Sequence, residues 1–154
     1  MFFKYADTIK EVSVQVLGNN VSNSLDDGIE VVGANDVEVI ENDVEGSGDD
    51  GINVLGFAGF YTEEAPVEES FAKLYEGYGW PYFNAIVDKN NVTTSGGDGI
   101  ESRGFDNLIV TDNVVTDSTA NGLYVSGFNN GNTLVGGNTF NGFDIGGHFE
   151  SGTI

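Results

Sequence analysis

A repeat of 23 residues restricts the fold of this chain more than any other feature of its sequence. Residues 14–33 and 37–56 align position by position, each with alternating apolar residues, an asparagine and then Asp-Gly-Ile. Rows that begin at Ala85 and Leu108 repeat this pattern, and a looser fifth row contains Val135 and Asn138. The alternation predicts short strands, and the Gly, Asn, Asp and Ser between them predict tight turns. A unit this short buries its apolar side only against neighbouring units, so the repeat predicts an all-β, parallel β-solenoid.

One stretch interrupts the period. Ala85 lies 48 residues after Val37 in the sequence, which leaves an insertion at about residues 58–84. Thr62 precedes two glutamates and a short amphipathic pattern, so we expect the insertion to be partly helical. We also expect it to cover Ile86 and Ile109, where an outward column becomes apolar. The whole chain, residues 1–154, is otherwise expected to form one segment of about five to six coils.

Residues at equivalent positions of a solenoid stack at about 4.8 Å and form ladders. One expected ladder is of asparagines, another of phenylalanines and a third of aspartates that ends in an asparagine. The members are, respectively, Asn19, Asn42, Asn90, Asn113 and Asn138; Phe57, Phe105 and Phe128; and Asp27, Asp50, Asp98 and Asn121.

The charge of the chain limits its partners. Its 25 acidic and 5 basic residues give a formal net charge of −20, so nucleic acid and anionic membranes are poor partners. No cysteine is present, which excludes disulfide frameworks and cysteine-ligated zinc. No apolar run is long enough to insert into a membrane. Cations and cationic surfaces remain as partners.

The aspartate ladder has two interpretations. Stacked carboxylates repel one another, so Asp27, Asp50 and Asp98 must be solvated, bonded to turn amides or bridged by a hard cation. Ca²⁺ fits the last case because it takes oxygen ligands. Residues 45–52 also match four positions of a calcium-binding nonapeptide. Turn capping and a calcium site therefore both stay open.

The rows resemble a known family of repeats. Asp-Gly-Ile-x-Val-x-Gly followed by Val-x-Val-x-x-Asn-x-Val resembles the parallel β-helix of the pectin-lyase-like superfamily, which includes alginate C5-epimerases, pectate lyases and polygalacturonases. The resemblance implies a right-handed parallel β-helix and, in enzymes of the family, action on acidic polysaccharides. Neither end of the sequence shows a polar cap. We therefore expect a segment of a larger secreted or surface protein, or a molecule that associates end to end.

The same resemblance suggests catalytic positions. Polygalacturonases carry paired carboxylates in successive turns, which here would be Asp27 followed by Asp49 and Asp50. Lyases of the superfamily use an arginine or lysine base, for which Arg103 is the candidate, and epimerases use tyrosine and histidine. The chain departs from the polygalacturonase pattern, because the coil of Asp98 has no histidine and the later Arg-x-Lys element is absent.

Aromatic residues of the insertion are candidates for sugar binding. Tyr78, Trp80 and Tyr82 could form a stacking edge for carbohydrate, or they could fill a small core beneath the insertion. From these observations we expect a non-catalytic extracellular module that presents an acidic face and binds carbohydrate, Ca²⁺ or both, or that acts as a spacer. The alternative is an epimerase, lyase or hydrolase acting on uronate-rich polysaccharide.

Overall fold

The computed structural model describes residues 12–56, 83–126 and 133–141. Strands in these ranges form three sheets, and every paired neighbour is parallel. Sheet A contains β1 (Ser13–Leu17), β4 (Asp36–Ile40), β7 (Asn84–Asp88), β10 (Asn107–Thr111) and β13 (Thr133–Gly136). Sheet B contains β2 (Asn20–Ser22), β5 (Asp43–Ser47), β8 (Asn91–Ser95), β11 (Val114–Ser118) and β14 (Thr139–Asn141). Sheet C contains β3 (Ile29–Val32), β6 (Ile52–Leu55), β9 (Ile100–Arg103) and β12 (Leu123–Ser126).

The strand register follows the sequence repeat. Val14 pairs with Val37 and Val37 with Ala85, so the coils on either side of the insertion are adjacent in space. Ala85 pairs in turn with Leu108. The first four coils each contribute one strand to sheet A, one to sheet B and one to sheet C, and the fifth contributes β13 and β14 to sheets A and B. The predicted parallel β-helix is thereby confirmed.

Inward side chains of the three sheets form one apolar core. Because side chains alternate along a strand, every second residue points into the coil and the others point to solvent. Val39, Val87 and Val110 fill the sheet A side, Val92 and Val115 the sheet B side, and Ile52, Val54 and Ile100 the sheet C side, all fully buried. Phe105 is also buried, whereas Phe57 and Phe128, the other members of the expected aromatic ladder, lie outside the described residues.

The corner between sheets A and B contains the expected asparagine ladder. Each Nδ2 donates to the Oδ1 of the asparagine in the next coil, at 2.9 to 3.0 Å, from Asn19 through Asn42, Asn90 and Asn113 to Asn138. The residue before each ladder asparagine has a positive φ, between 53° and 68°, which turns the chain sharply. Asn42, Asn90 and Asn113 are buried, so the ladder satisfies polar groups inside the coil.

The coil resumes slightly earlier than the sequence indicates. Asn84, expected at the end of the insertion, is the first residue of β7 and pairs with Asp36. Phe83 is also described, whereas residues 58–82 of the insertion lie outside the described residues, so its helical content stays a prediction. The expected cover of Ile86 and Ile109 by the insertion also stays a prediction. Ile86 is half-buried and Ile109 is 36% exposed. In the ranges that the structure describes, no helix has the length and apolarity needed to cross a membrane.

Candidate functional site

The aspartate column lies at the corner where sheet B leads into sheet C. Asp27, Asp50 and Asp98 each precede a glycine and the first residue of a sheet C strand. Because the coils stack in register, the three side chains follow one another along the helix axis. Asp50 and Asp98 are both 8% exposed, whereas Asp27 is half-buried in the outermost described coil.

These aspartates cap the turn of the next coil. Oδ1 of Asp27 accepts a hydrogen bond from the backbone N–H of Asp50 at 3.0 Å, and Oδ1 of Asp50 accepts one from Asp98 at 2.7 Å. Oδ1 of Asp98 accepts bonds from both the backbone N–H and the Nδ2 of Asn121, at 2.7 and 2.8 Å. The three carboxylates therefore cap turns, as one of the two interpretations expected. Their use as calcium ligands stays a prediction.

A second carboxylate lies against the middle of this column. Glu101, on β9, points outward from sheet C but is only 6% exposed, and its side chain shares a hydrogen bond with that of Asp50. Burial raises the pKa of Asp50 to about 7. The hydrogen bond from the backbone N–H of Asp98 lowers this pKa, whereas the negative charges of Glu101, Asp98 and Asp27 raise it further. Burial also raises the pKa of Glu101, and the positive charge of Arg103 opposes this.

Arg103 contacts a carboxylate of its own strand and an aromatic ring of the next coil. Its guanidinium forms an ion pair with Glu101 and lies 5.0 Å from the centre of the Tyr124 ring in the next coil. A cation over an aromatic face is attracted by the ring quadrupole. Among the residues that the structure describes, the buried Nε of Arg103 has no hydrogen-bond partner. The ion pair and the ring together hold the guanidinium beside Glu101.

Three carboxylates at this corner form a group that differs from the predicted ladder. Oxygen atoms of Asp26, Asp27 and Asp49 all lie within 4.8 Å of one another, and Asp26 and Asp49 are exposed. We call this group the turn triad. Three carboxylates open to water suit the oxygen preference of Ca²⁺. The sequence interpretation missed Asp26, although the Asp-Asp pairs at 26–27 and 49–50 occupy equivalent positions of successive coils.

The remaining predicted residues fall into two groups. Asp27, Asp49 and Asp50 share one corner, and Arg103 reaches it through Glu101. Tyr78, Trp80 and Tyr82 lie outside the described residues, so a sugar-stacking edge stays a prediction.

A shallow depression of about 310 Å³ lies on the outer face of sheet B. It is lined by residues of β2, β5 and β8, namely Asn20, Asp43, Val44, Glu45, Asn91 and Thr93. The outward positions of these strands alternate with core valines, and that alternation was the signal available in the sequence. The sequence interpretation assigned no role to this face.

Comparison with known proteins places the chain by its fold. No curated protein and no solved structure gives a significant match to the chain. A family model described as the right-handed beta helix region matches residues 8–153. That span includes all fourteen described strands, which pair in parallel in three sheets. The chain therefore belongs to the right-handed β-helix family.

Proposed function

We propose that this chain is a non-catalytic β-helix module of an extracellular or cell-surface protein, which presents an acidic face to cations, carbohydrate or neighbouring domains. The observation that carries the proposal is that three of the four candidate catalytic groups, Asp27, Asp50 and Arg103, are engaged within the coil, while the fourth, Asp49, is exposed. Asp27, Asp50 and Asp98 each accept a backbone amide of the next coil. Arg103 is paired with Glu101. A general acid or base must reach a proton of the substrate, whereas these carboxylates accept hydrogen bonds from backbone amides and Arg103 pairs with Glu101.

Calcium binding is the second part of the proposal. The turn triad offers three carboxylates with two exposed members, and water can complete the coordination that Ca²⁺ requires. Binding would also neutralise like charges in neighbouring turns, which repel at this separation. A chain of charge −20 repels a polyuronate, so binding to such a polymer would need a bridging cation.

Calcium titration of matched variants tests this part. In calorimetry at physiological salt, the unmodified chain should bind Ca²⁺ and its melting temperature should rise with calcium concentration. Asp49→Asn should lower the affinity for Ca²⁺ at least about tenfold, because it removes one of three charged ligands. The calcium-dependent rise in melting temperature should shrink accordingly. Asp117→Asn makes the same charge change at an exposed position outside the triad and should bind as the parent does. Absence of binding heat, or equal loss in both variants, would reject the triad.

The enzyme alternative is favoured by one observation, the pKa of Asp50 near 7 beside Glu101 and Arg103. Groups with such a pKa serve as general acids and bases near neutral pH. The test is turnover of polygalacturonate and alginate, followed by product and epimer analysis. The proposed module should show none. Turnover that Asp49→Asn and Asp50→Asn both abolish, in variants that remain folded, would replace the module with an enzyme.

A further inference from the structure

The outer face of sheet B contains two columns of side chains that the acidic corner does not use. The first column runs Asn20, Asp43, Asn91, Val114, and the second runs Ser22, Glu45, Thr93, Thr116, according to the strand register. All of these side chains point away from the core, because the valines between them, such as Val44 and Val92, are buried. The face is therefore polar over most of its length.

Two coils of this face contain the acceptor triplet for asparagine-linked glycans, Asn-x-Ser or Asn-x-Thr with x other than proline. The triplets are Asn20-Val21-Ser22 and Asn91-Val92-Thr93, and the sequence contains no other. Each triplet lies within a strand, so its asparagine and hydroxyl residue point to the same side. Asn20 and Asn91 are exposed, whereas the neighbouring ladder residues Asn42, Asn90 and Asn113 are buried. The acceptor pattern thus occurs where the coil leaves room outside it.

We propose that Asn20 and Asn91 are acceptor sites for N-linked glycans, so that sheet B is the glycan-bearing face of the module. This inference rests on the proposed passage of the chain out of the cell. In the reaction, Nδ2 of the asparagine bonds to the anomeric carbon of a lipid-phosphate-linked oligosaccharide. The bond from that carbon to the phosphate oxygen breaks, the phosphate leaves with the electron pair, and the amide loses one proton.

The folded coil accommodates this modification. Nδ2 of Asn91 donates to Oδ1 of Asp43 at 2.6 Å, and a glycosylated amide keeps one N–H. Asn20 and Asn91 are separated by two coil steps, about 10 Å, with Asp43 between them. No core residue would have to move, because both attachment points lie outside the coil.

Secretion of the full chain from a eukaryotic host tests the proposal. The intact mass should show two glycans, and peptide N-glycosidase should remove both and convert each used asparagine to aspartate. Ser22→Ala should lose one glycan and Thr93→Ala the other. Thr116→Ala, in the same column but without an asparagine two residues earlier, should keep both. Val114→Asn should gain a third glycan, since Val114 is 40% exposed at the equivalent position of the next coil.

A secreted chain without glycans overturns the proposal, and a triplet that stays unmodified is rejected as an acceptor. Enzymatic removal of the glycans should leave the melting temperature within a few degrees of its starting value. A glycosylated chain without a cooperative melt would show that the face cannot hold them. Calcium titration reports on the triad independently, so a negative result there leaves this result standing.

Discussion

At the scale of single residues, the same carboxylate chemistry produces different behaviour according to burial. Asp26 and Asp49 are exposed, whereas Asp50 is buried against Glu101 and accepts the amide of Asp98. The buried carboxylate is costly to ionise, because desolvation and like charges both oppose its charged form. Asn121 occupies the same column without a charge, and its side-chain Nδ2 donates a hydrogen bond to Asp98.

Replacement of Asp50 by asparagine should stabilise the chain above neutral pH. The pKa of Asp50 is about 7 in the fold against 3.8 for the free side chain, so its contribution to stability is fully present below about pH 4 and is lost as the pH rises through about 7. Asp50→Asn should therefore raise the free energy of unfolding by roughly 2–4 kcal/mol at pH 8 and change it little at pH 4.

The measurement is urea unfolding from pH 4 to 8, with chelator present to remove divalent cations. The exposed Asp117→Asn variant serves as the control and should show a pH profile close to that of the parent. A pH-independent difference between Asp50→Asn and the parent would contradict the argument from ionisation.

At the scale of elements, all three corners of the coil rely on side-chain oxygens that cap backbone amides of an adjacent coil. Asparagines cap the corner between sheets A and B, and aspartates cap the corner between sheets B and C. Asn35 and Asp106 cap the corner between sheets C and A, accepting from Val12 and Phe83 at 3.0 Å. The direction reverses at the aspartate corner, where the residue of the earlier coil accepts. These bonds satisfy backbone N–H groups that lie just outside the strands, as buried backbone groups require.

Loss of one ladder asparagine should be costly because four bonds meet at it. Oδ1 of Asn90 accepts from the backbone and side-chain N–H groups of Asn42, and Nδ2 donates to Asn113 and to the Val39 carbonyl. Asn90→Ala should lower the free energy of unfolding by about 3 kcal/mol or more, since buried groups lose their partners.

The adjacent Asn91 supplies a matched control, because it is exposed and bonds to Asp43 at the surface. Asn91→Ala should cost less than about 1 kcal/mol. Equal losses in chemical denaturation would show that the ladder contributes no more than a surface bond.

Close stacking of coils should make Gly51 intolerant of a methyl group. A Cβ at this position would lie 2.3 Å from Cγ1 of Val92 and 2.6 Å from the carbonyl oxygen of Gly99. Gly51→Ala should destabilise the chain by about 2 kcal/mol or more through overpacking. Gly136 also lies in a coil, but a Cβ added there would have no described atom within 4 Å, so Gly136→Ala should change stability by less than about 1 kcal/mol. Comparable melting temperatures for the two variants would refute the close approach.

At the scale of the whole molecule, like charge and stacking act against each other. The chain has a net charge of −20, and the acidic residues that the structure describes lie in turns and at outward strand positions of successive coils, at a spacing of about 4.8 Å. This spacing is shorter than the Debye length at physiological salt, about 8 Å. Apolar burial and hydrogen-bonded corners therefore hold together a molecule whose surface repels itself.

Screening should consequently stabilise the whole molecule. The melting temperature should rise by several degrees between about 0.05 and 1 M NaCl, because the Debye length falls to about 3 Å at 1 M. KCl should act equally well, as screening depends on ionic strength rather than on ion identity. Differential scanning calorimetry with chelator present measures this without interference from calcium. A flat dependence would show that exposed carboxylates of adjacent coils do not interact appreciably.

The amino-acid sequence determined the coil, its register and the content of the asparagine and aspartate ladders. The 23-residue repeat aligns Val14 with Val37 and Asn19 with Asn42, and in a stacked solenoid such alignment is equivalent to contact. The repeat specifies neighbours along a column but not between columns, because distances around a turn depend on its curvature and on side-chain rotamers. Only the tertiary structure decided that Asp26 joins Asp27 and Asp49. It alone decided that Glu101 faces Asp50 while pairing with Arg103.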